Sequence, residues 1–176
     1  MTGIAALMSQ NRDRLDTIFA DFRKARGEKA MYLFSQFESG LRAHMAWEEE
    51  ILFPSFEERA GMNHSDPMAV MRVEHERIRE LLLAIKQEID RGCRRIQIRV
   101  PETGARQTII TDNINRDAMN ASAKDLLNVL GPHNDQEESV LYLSLERILT
   151  EQEQLALIER MQVPLPDAQG HVGDGC

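Results

Sequence analysis

The chain lacks any apolar run approaching the roughly 20 residues that span a bilayer. The stretch at residues 4–8 is too short, and too soon followed by charge, to act as a secretory signal. Cysteine is scarce: Cys93 and Cys176 alone make no disulfide framework. Basic charge is scarce too. The formal net charge is −8, whereas a protein that coats nucleic acid usually carries a basic stripe. Arg91, Arg94, Arg95 and Arg99 cluster locally, and a solvated loop accounts for them. These absences predict a soluble, reduced, cytoplasmic protein with no nucleic-acid or membrane partner. What the chain does have is 176 residues at 42% apolar content, one domain's worth with a sizeable core.

Four helical patterns fill it. Residues 2–26 carry the stripe Ile4, Leu7, Leu15, Ile18 and Phe22, with Gly27 placed to close the helix. Residues 28–58 align Phe34, Phe37, Leu41, His44, Glu48, Ile51 and Ser55, with Pro54 placed to bend the helix. A loop at 61–67 offers Ser65 or Asp66 as a cap before Pro67. Residues 67–91 align Met68, Met71, His75, Ile78, Leu82, Ile85 and Ile89. Residues 116–159, with breaks, align Leu126, Leu130, His133, Glu137, Val140, Ser144 and Ile148, and Gly131-Pro132 should kink them. Between the third and fourth patterns, Ile96, Ile98 and Val100 alternate with polar residues before a turn at 101–104 and the β-branched Thr108, Ile109 and Ile110. A short hairpin or a mobile loop fits that segment. The reading is an all-α domain over residues 1–160, an antiparallel up-down-up-down four-helix bundle with a long third connection. Residues 161–176 read as a disordered tail.

The polar residues inside these stripes carry the chemistry. His44-x-x-x-Glu48 returns later in the chain as His133-x-x-x-Glu137. Glu49, Leu52 and Phe53 are matched by Glu138, Leu141 and Tyr142. Residues i and i+4 share a helix face, so each copy aims an imidazole and a carboxylate the same way. Glu49 and Glu138, about 100° further round, should leave the stripe for a solvated face. A single core histidine is more often structural than a ligand. Two carboxylates and three imidazoles on inward stripes are harder to explain, because a buried, unpaired ion loses its hydration at a cost of several kcal/mol. Glu48 lies about fourteen residues before the 61–63 loop and His75 about thirteen after it, so at about 1.5 Å per residue they face each other. Such a set of N and O donors suits iron, manganese or zinc.

The motifs around His44-Glu48-Glu49-Glu50-Ile51-Leu52-Phe53-Pro54, Glu74-His75-Glu76, and His133-Asn134 with Glu137-Glu138 and Tyr142 together resemble the hemerythrin-like (HHE cation-binding) family over residues 4 to 150. That resemblance implies an antiparallel four-helix bundle around a non-haem di-iron centre. The matching metal ligands would be His44, Glu48, His75, His133 and Glu137, with both glutamates bridging. The family's first helix normally supplies another histidine. Here that place holds Arg12, preceded by Asn11, so one iron position would be weak, filled by water or Asn11, or empty. If Arg12 points inward, it would repel a cation or pair with Glu48 or Glu137.

The function implied is binding, scavenging or sensing of oxygen or nitric oxide, or iron handling, by a monomer or homodimer. Leu41, Trp47, Ile51, Ile78 and Leu130 are candidates for an apolar lining. One alternative is a di-iron redox enzyme consuming peroxide or nitric oxide, so enzymatic activity stays open. Another is a metal-poor bundle acting as an interaction protein. No signalling, DNA-binding or chemoreceptor segment is visible, which favours a stand-alone protein.

Overall fold

The structure, a computed structural model, describes residues 3–61 and 67–163. The chain is mostly helical, with one small two-stranded sheet. Helix α1 spans Ile4–Lys24 and α2 spans Gly27–Trp47. A π-helical segment, Glu48–Leu52, joins α2 to α3, Phe53–Ala60. Helix α4 is Pro67–Gly92, and strands β1, Arg95–Arg99, and β2, Arg106–Ile110, follow. Helix α5, Arg116–Gln136, passes through a second π segment, Glu137–Tyr142, into α6, Leu143–Ile148; α7 is Glu151–Gln162. None of the described helices is long and apolar enough to cross a membrane. The cap expected at Ser65 or Asp66, and the expected tail from residue 164 on, lie outside the described residues; Met161 and Gln162, read as the start of that tail, instead end α7, where Met161 packs into the core.

The third pattern is buried as read: Met68, Met71, His75, Ile78, Leu82, Ile85 and Ile89 are each no more than 3% exposed. Three details of the others differ. Gly27, expected to close the first helix, opens the second. Ala25 ends α1 in extended backbone, its N–H bonding Asp21 O and Phe22 O, and Gly27 follows at φ +51, where glycine carries no steric penalty. The buried face of α1 is Ile4, Met8, Arg12, Leu15, Phe19 and Phe22, which puts a guanidinium among apolar side chains. The fourth pattern breaks, as expected, into α5, α6 and α7, but α5 continues across Gly131 and Pro132.

Both π segments begin at a motif glutamate. In the first, the Phe53 N–H bonds Glu48 O, five residues back. A π turn holds an extra residue, so the buried face beyond it moves along by one. Beyond Glu137 the expected Val140, Ser144 and Ile148 give way to Leu141, Leu145 and Leu149; Val140 and Ile148 are exposed. Beyond Glu48 the expected Ile51 is buried, as are Leu52 and Phe56, while Ser55 is half-buried. Pro54 is not the common cause, since Leu143 takes its place in the second copy and the π turn is still there.

The segment between α4 and α5 is a hairpin. β1 and β2 pair antiparallel, with Ile96 opposite Ile109 and Gln97 opposite Thr108. Gly104, at φ +67, closes the turn. The segment leading from β2 to α5 passes so close to the end of α4 that a Cβ on Gly92 would lie 2.4 Å from Ile114 Cα.

The core is two apolar clusters separated by a polar layer. One cluster includes Leu15, Phe19, Leu41, Met45, Ile78, Leu82, Leu126 and Leu130. The other includes Ile4, Met8, Ile51, Leu52, Met68, Met71, Leu141 and Tyr142. Arg12, His44, Glu48, His75, His133 and Glu137 fall between them in sequence on their helices, and all six are buried. α1 packs on α2, α4 on α5, and α2 on α4.

Candidate metal centre

All five sequence-predicted residues meet in this layer. His44, at the end of α2, is 3% exposed, and Glu48, opening the first π turn, is 0% exposed. His75 comes from the middle of α4, His133 from the last turn of α5, and Glu137 opens the second π turn. His75 Nε2 lies 3.0 Å from His133 Nε2, 3.3 Å from Glu48 Oε2 and 3.7 Å from Glu137 Oε1. His133 Nε2 lies 3.0 Å from Glu137 Oε1. One donor atom from each of Glu48, His75, His133 and Glu137 falls within 4.8 Å of all the others. His44 stands at the edge: its Nε2 is 3.2 Å from Glu48 Oε1 but has no hydrogen-bond partner.

The far sides of the imidazoles fix their tautomers. A carboxylate only accepts, so the ring nitrogen facing it carries the proton. His75 Nδ1–H donates to Glu49 Oε1 at 2.8 Å, and His133 Nδ1–H donates to Glu74 Oε2 at 2.8 Å. Glu49 is held in turn by Arg79 at 2.6 Å. In the neutral rings both Nε2 lone pairs then point into one space, toward Glu48 Oε2 and Glu137 Oε1. Those two buried oxygens have no hydrogen-bond partner. Two imidazole nitrogens and two orphaned carboxylate oxygens around one point repel one another unless a cation joins them. A metal ion of the N/O-binding class supplies that cation, and carboxylate–histidine–metal relays are the usual support for one.

Without a metal, protons do part of this work. Burial alone would lower the His75 pKa, but the carboxylates of Glu137, Glu48 and Glu49 around the ring outweigh it, and the pKa is pushed up to about 11. Burial also opposes charge on His133, yet Glu137 and Glu74 raise its pKa. Burial would raise the Glu48 pKa, while His44 and His75 hold it well below the usual carboxylate range. Glu48 is therefore ready to accept a cation as an anion.

Several residues beyond the five predicted ligands belong to the layer. Arg12 points inward. Its Nη2 hydrogen-bonds Glu137 Oε2 and, at 2.7 Å, the Tyr142 hydroxyl; its Nη1 donates to Asn134 O at 3.1 Å and Glu138 Oε1 at 2.9 Å. Tyr142 OH donates to Glu48 Oε1, and lies 3.3 Å from Glu137 Oε2. Burial, then Glu48 and Glu137, push the Tyr142 pKa well above normal, so the phenol stays a donor. Asn11 is no candidate ligand in this arrangement: its Oδ1 accepts from His44 Nδ1 at 2.9 Å. Glu49 and Glu138 are not merely solvated, because long side chains reach His75 and Arg12 from positions off the stripe. Glu74, beside His75 in sequence, was the legible signal for the His133 partner. His64 and His171 lie outside the described residues.

A cavity of about 10 Å³ borders the centre, lined by Arg12, His44, Leu41, Leu130 and Asn134 among others. Leu41 and Leu130 are the two residues of the expected apolar lining that face it.

No curated protein and no solved structure gives a match to the chain. A family model described as hemerythrin HHE cation binding domain matches residues 2–145, a span holding every residue of the polar layer. With most of its length covered by that match, the chain belongs to the hemerythrin HHE cation-binding family.

Proposed function

We propose that this is a non-haem iron protein that binds, scavenges or senses a small diatomic, oxygen or nitric oxide. His75, His133, Glu48 and Glu137 are the ligands, with His44 at the margin. The observation that carries the reading is the pair of orphaned carboxylate oxygens facing two Nε2 lone pairs in a layer sealed by apolar clusters on both sides. Iron held there supplies an exchangeable coordination position and one-electron redox chemistry. The chain's own groups do the rest. Glu74 and Glu49 hold the Nδ1 protons and so orient both rings. Tyr142 offers a hydroxyl between the carboxylates. Leu41 and Leu130 give the bordering cavity apolar walls beside Arg12, Asp16, His44 and Asn134, and at about 10 Å³ it has no room for an organic substrate.

The architecture that fits this centre is an antiparallel four-helix bundle over residues 1–160. In its support, the two apolar clusters are met in alternating order along α1, α2–α3, α4 and α5–α6. The test is to grow the protein with iron, measure bound metal, and record optical spectra of the reduced protein under nitrogen, air and nitric oxide. Bound iron whose spectrum shifts with one of the gases supports the reading. Bound iron with a spectrum indifferent to both would remove the diatomic part and leave iron handling.

A further inference from the structure

The centre is built from two equivalent helix pairs. α1 buries Met8, Arg12, Leu15, Phe19 and Phe22. α4 buries Met71, His75, Ile78, Leu82 and Ile85 at the same intervals. Arg12 therefore stands beside His44 and Glu48 where His75 stands beside His133 and Glu137. Each of the two reaches both buried carboxylates, but at opposite oxygens. His75 Nε2 faces Glu48 Oε2 and Glu137 Oε1, the oxygens with no hydrogen-bond partner. Arg12 Nη2 hydrogen-bonds Glu137 Oε2 and lies 4.0 Å from Glu48 Oε1. The Tyr142 hydroxyl completes that second group, since it donates to Glu48 Oε1.

We propose that this chain holds one metal ion, not two. The ion sits among His75, His133, Glu48 and Glu137, and the guanidinium of Arg12, with the Tyr142 phenol, fills the place a second ion would take. The proposal rests on the reading of this layer as a metal centre. A guanidinium keeps its charge at any working pH and offers no lone pair. It satisfies carboxylate oxygens by charge-assisted hydrogen bonds, as an ion would by coordination. A second divalent ion would have to share Glu137 Oε2 and Glu48 Oε1 with it, two cations at contact distance in a medium of low dielectric. Arg12 is not placed to swing away. Asn134 O and Glu138 Oε1 hold its other amino group, the Tyr142 ring lies 5.2 Å from its guanidinium carbon, and it is 6% exposed. Pulling it out would leave Glu137 Oε2 buried without its strongest partner. The leftover donor, His44 Nε2, cannot build a second site alone.

The test is iron per chain and electron paramagnetic resonance of the oxidised protein, for wild type and for Arg12→His. An isolated ferric ion has half-integer spin and gives a signal. Two ferric ions bridged by shared carboxylates pair their spins and lose it. Wild type should bind one iron per chain and show the isolated-ion signal; Arg12→His should bind two and lose most of it. Two irons and no signal in wild type overturn the proposal while leaving the metal reading intact. No iron in wild type overturns both. One iron in wild type and in a folded Arg12→His protein overturns the assignment of Arg12 as the occupant. Should Arg12→His misfold, the wild-type stoichiometry and spectrum still decide for or against a single ion.

Discussion

The two His-x-x-x-Glu motifs are near copies in sequence and unequal in structure. Both place the histidine in the last turn of an α-helix and open a π turn on the glutamate. Both bury the residues that follow, Leu52 and Phe53 in one, Leu141 and Tyr142 in the other. Their surroundings then diverge. His133 has a carboxylate, Glu74, on its Nδ1 and another imidazole on its Nε2. His44 has the neutral amide of Asn11 on its Nδ1 and no hydrogen-bond partner on its Nε2. Phe53 stacks on His75 with ring centroids 5.7 Å apart, whereas Tyr142 turns a hydroxyl toward both carboxylates. A repeated motif thus fixes where donors sit, while neighbours on other helices decide whether they can serve a cation.

The largest effects should come from the residues the motifs share. Glu48→Ala and Glu137→Ala should each empty the centre, lowering metal affinity by more than the about 10–100-fold that supporting residues contribute. Histidine substitutions should then separate the copies. His133→Ala should lose metal comparably, while His44→Ala should keep most of it. Chelator competition measures both, and equal losses from the two histidines would erase the distinction between the halves.

Next in size are the supporting partners. Glu74→Gln and Glu49→Gln exchange an anionic acceptor for a neutral one on the His133 and His75 Nδ1 protons. Each should weaken metal retention about 10–100-fold. Asn11→Ala acts on the other copy and should leave retention unchanged. A marked loss in Asn11→Ala would mean that His44 bears metal after all.

Much of this was legible in the chain. The α4 stripe reads directly because an α-helix repeats without interruption there. The five polar residues read because an imidazole or carboxylate on an apolar stripe is costly to bury alone. The pairing of an inward Arg12 with Glu137 was legible too, whereas its further partner Glu138 stands outside every helical stripe and gave no periodic signal. The face beyond Glu137, and Ser55 beyond Glu48, misled for a single reason, while Ile51 is buried as read. A π turn leaves no composition mark, and it moves every later side chain by one position.

A smaller, graded effect comes from pH. Metal uptake displaces the proton that His75 holds in the metal-free centre. The folded value, about 11, lies above the ordinary 6.5. The proton's contribution to stability of the metal-free fold is therefore complete below about 6.5 and is lost as pH rises through about 11. Metal affinity runs the opposite way, rising with pH by up to about tenfold per unit for each proton released. Calorimetric titrations with zinc, in buffers of different ionisation enthalpy, count the protons. Uptake with no proton release would place the ion away from His75.

The smallest expected effect tests the shift in the second copy. Uninterrupted α geometry would bury Val140; the π turn at Glu137–Tyr142 buries Leu141 instead and leaves Val140 44% exposed. Leu141 sits among Ile4, Met8 and Leu145 in the apolar cluster next to the polar layer. Leu141→Ala should therefore cost about 2–5 kcal/mol, as removing a packed leucine side chain leaves a cavity. Val140→Ser should stay within about 0.5 kcal/mol, because a surface exchange changes little packing. Both are measured by urea unfolding of the metal-free protein, so that lost metal binding does not enter the difference. The reverse ranking, with Val140→Ser the costly change, would restore a continuous α-helix through Glu137. That helix would turn the Tyr142 hydroxyl away from Glu48, and the contrast between the two copies would lose its geometric basis.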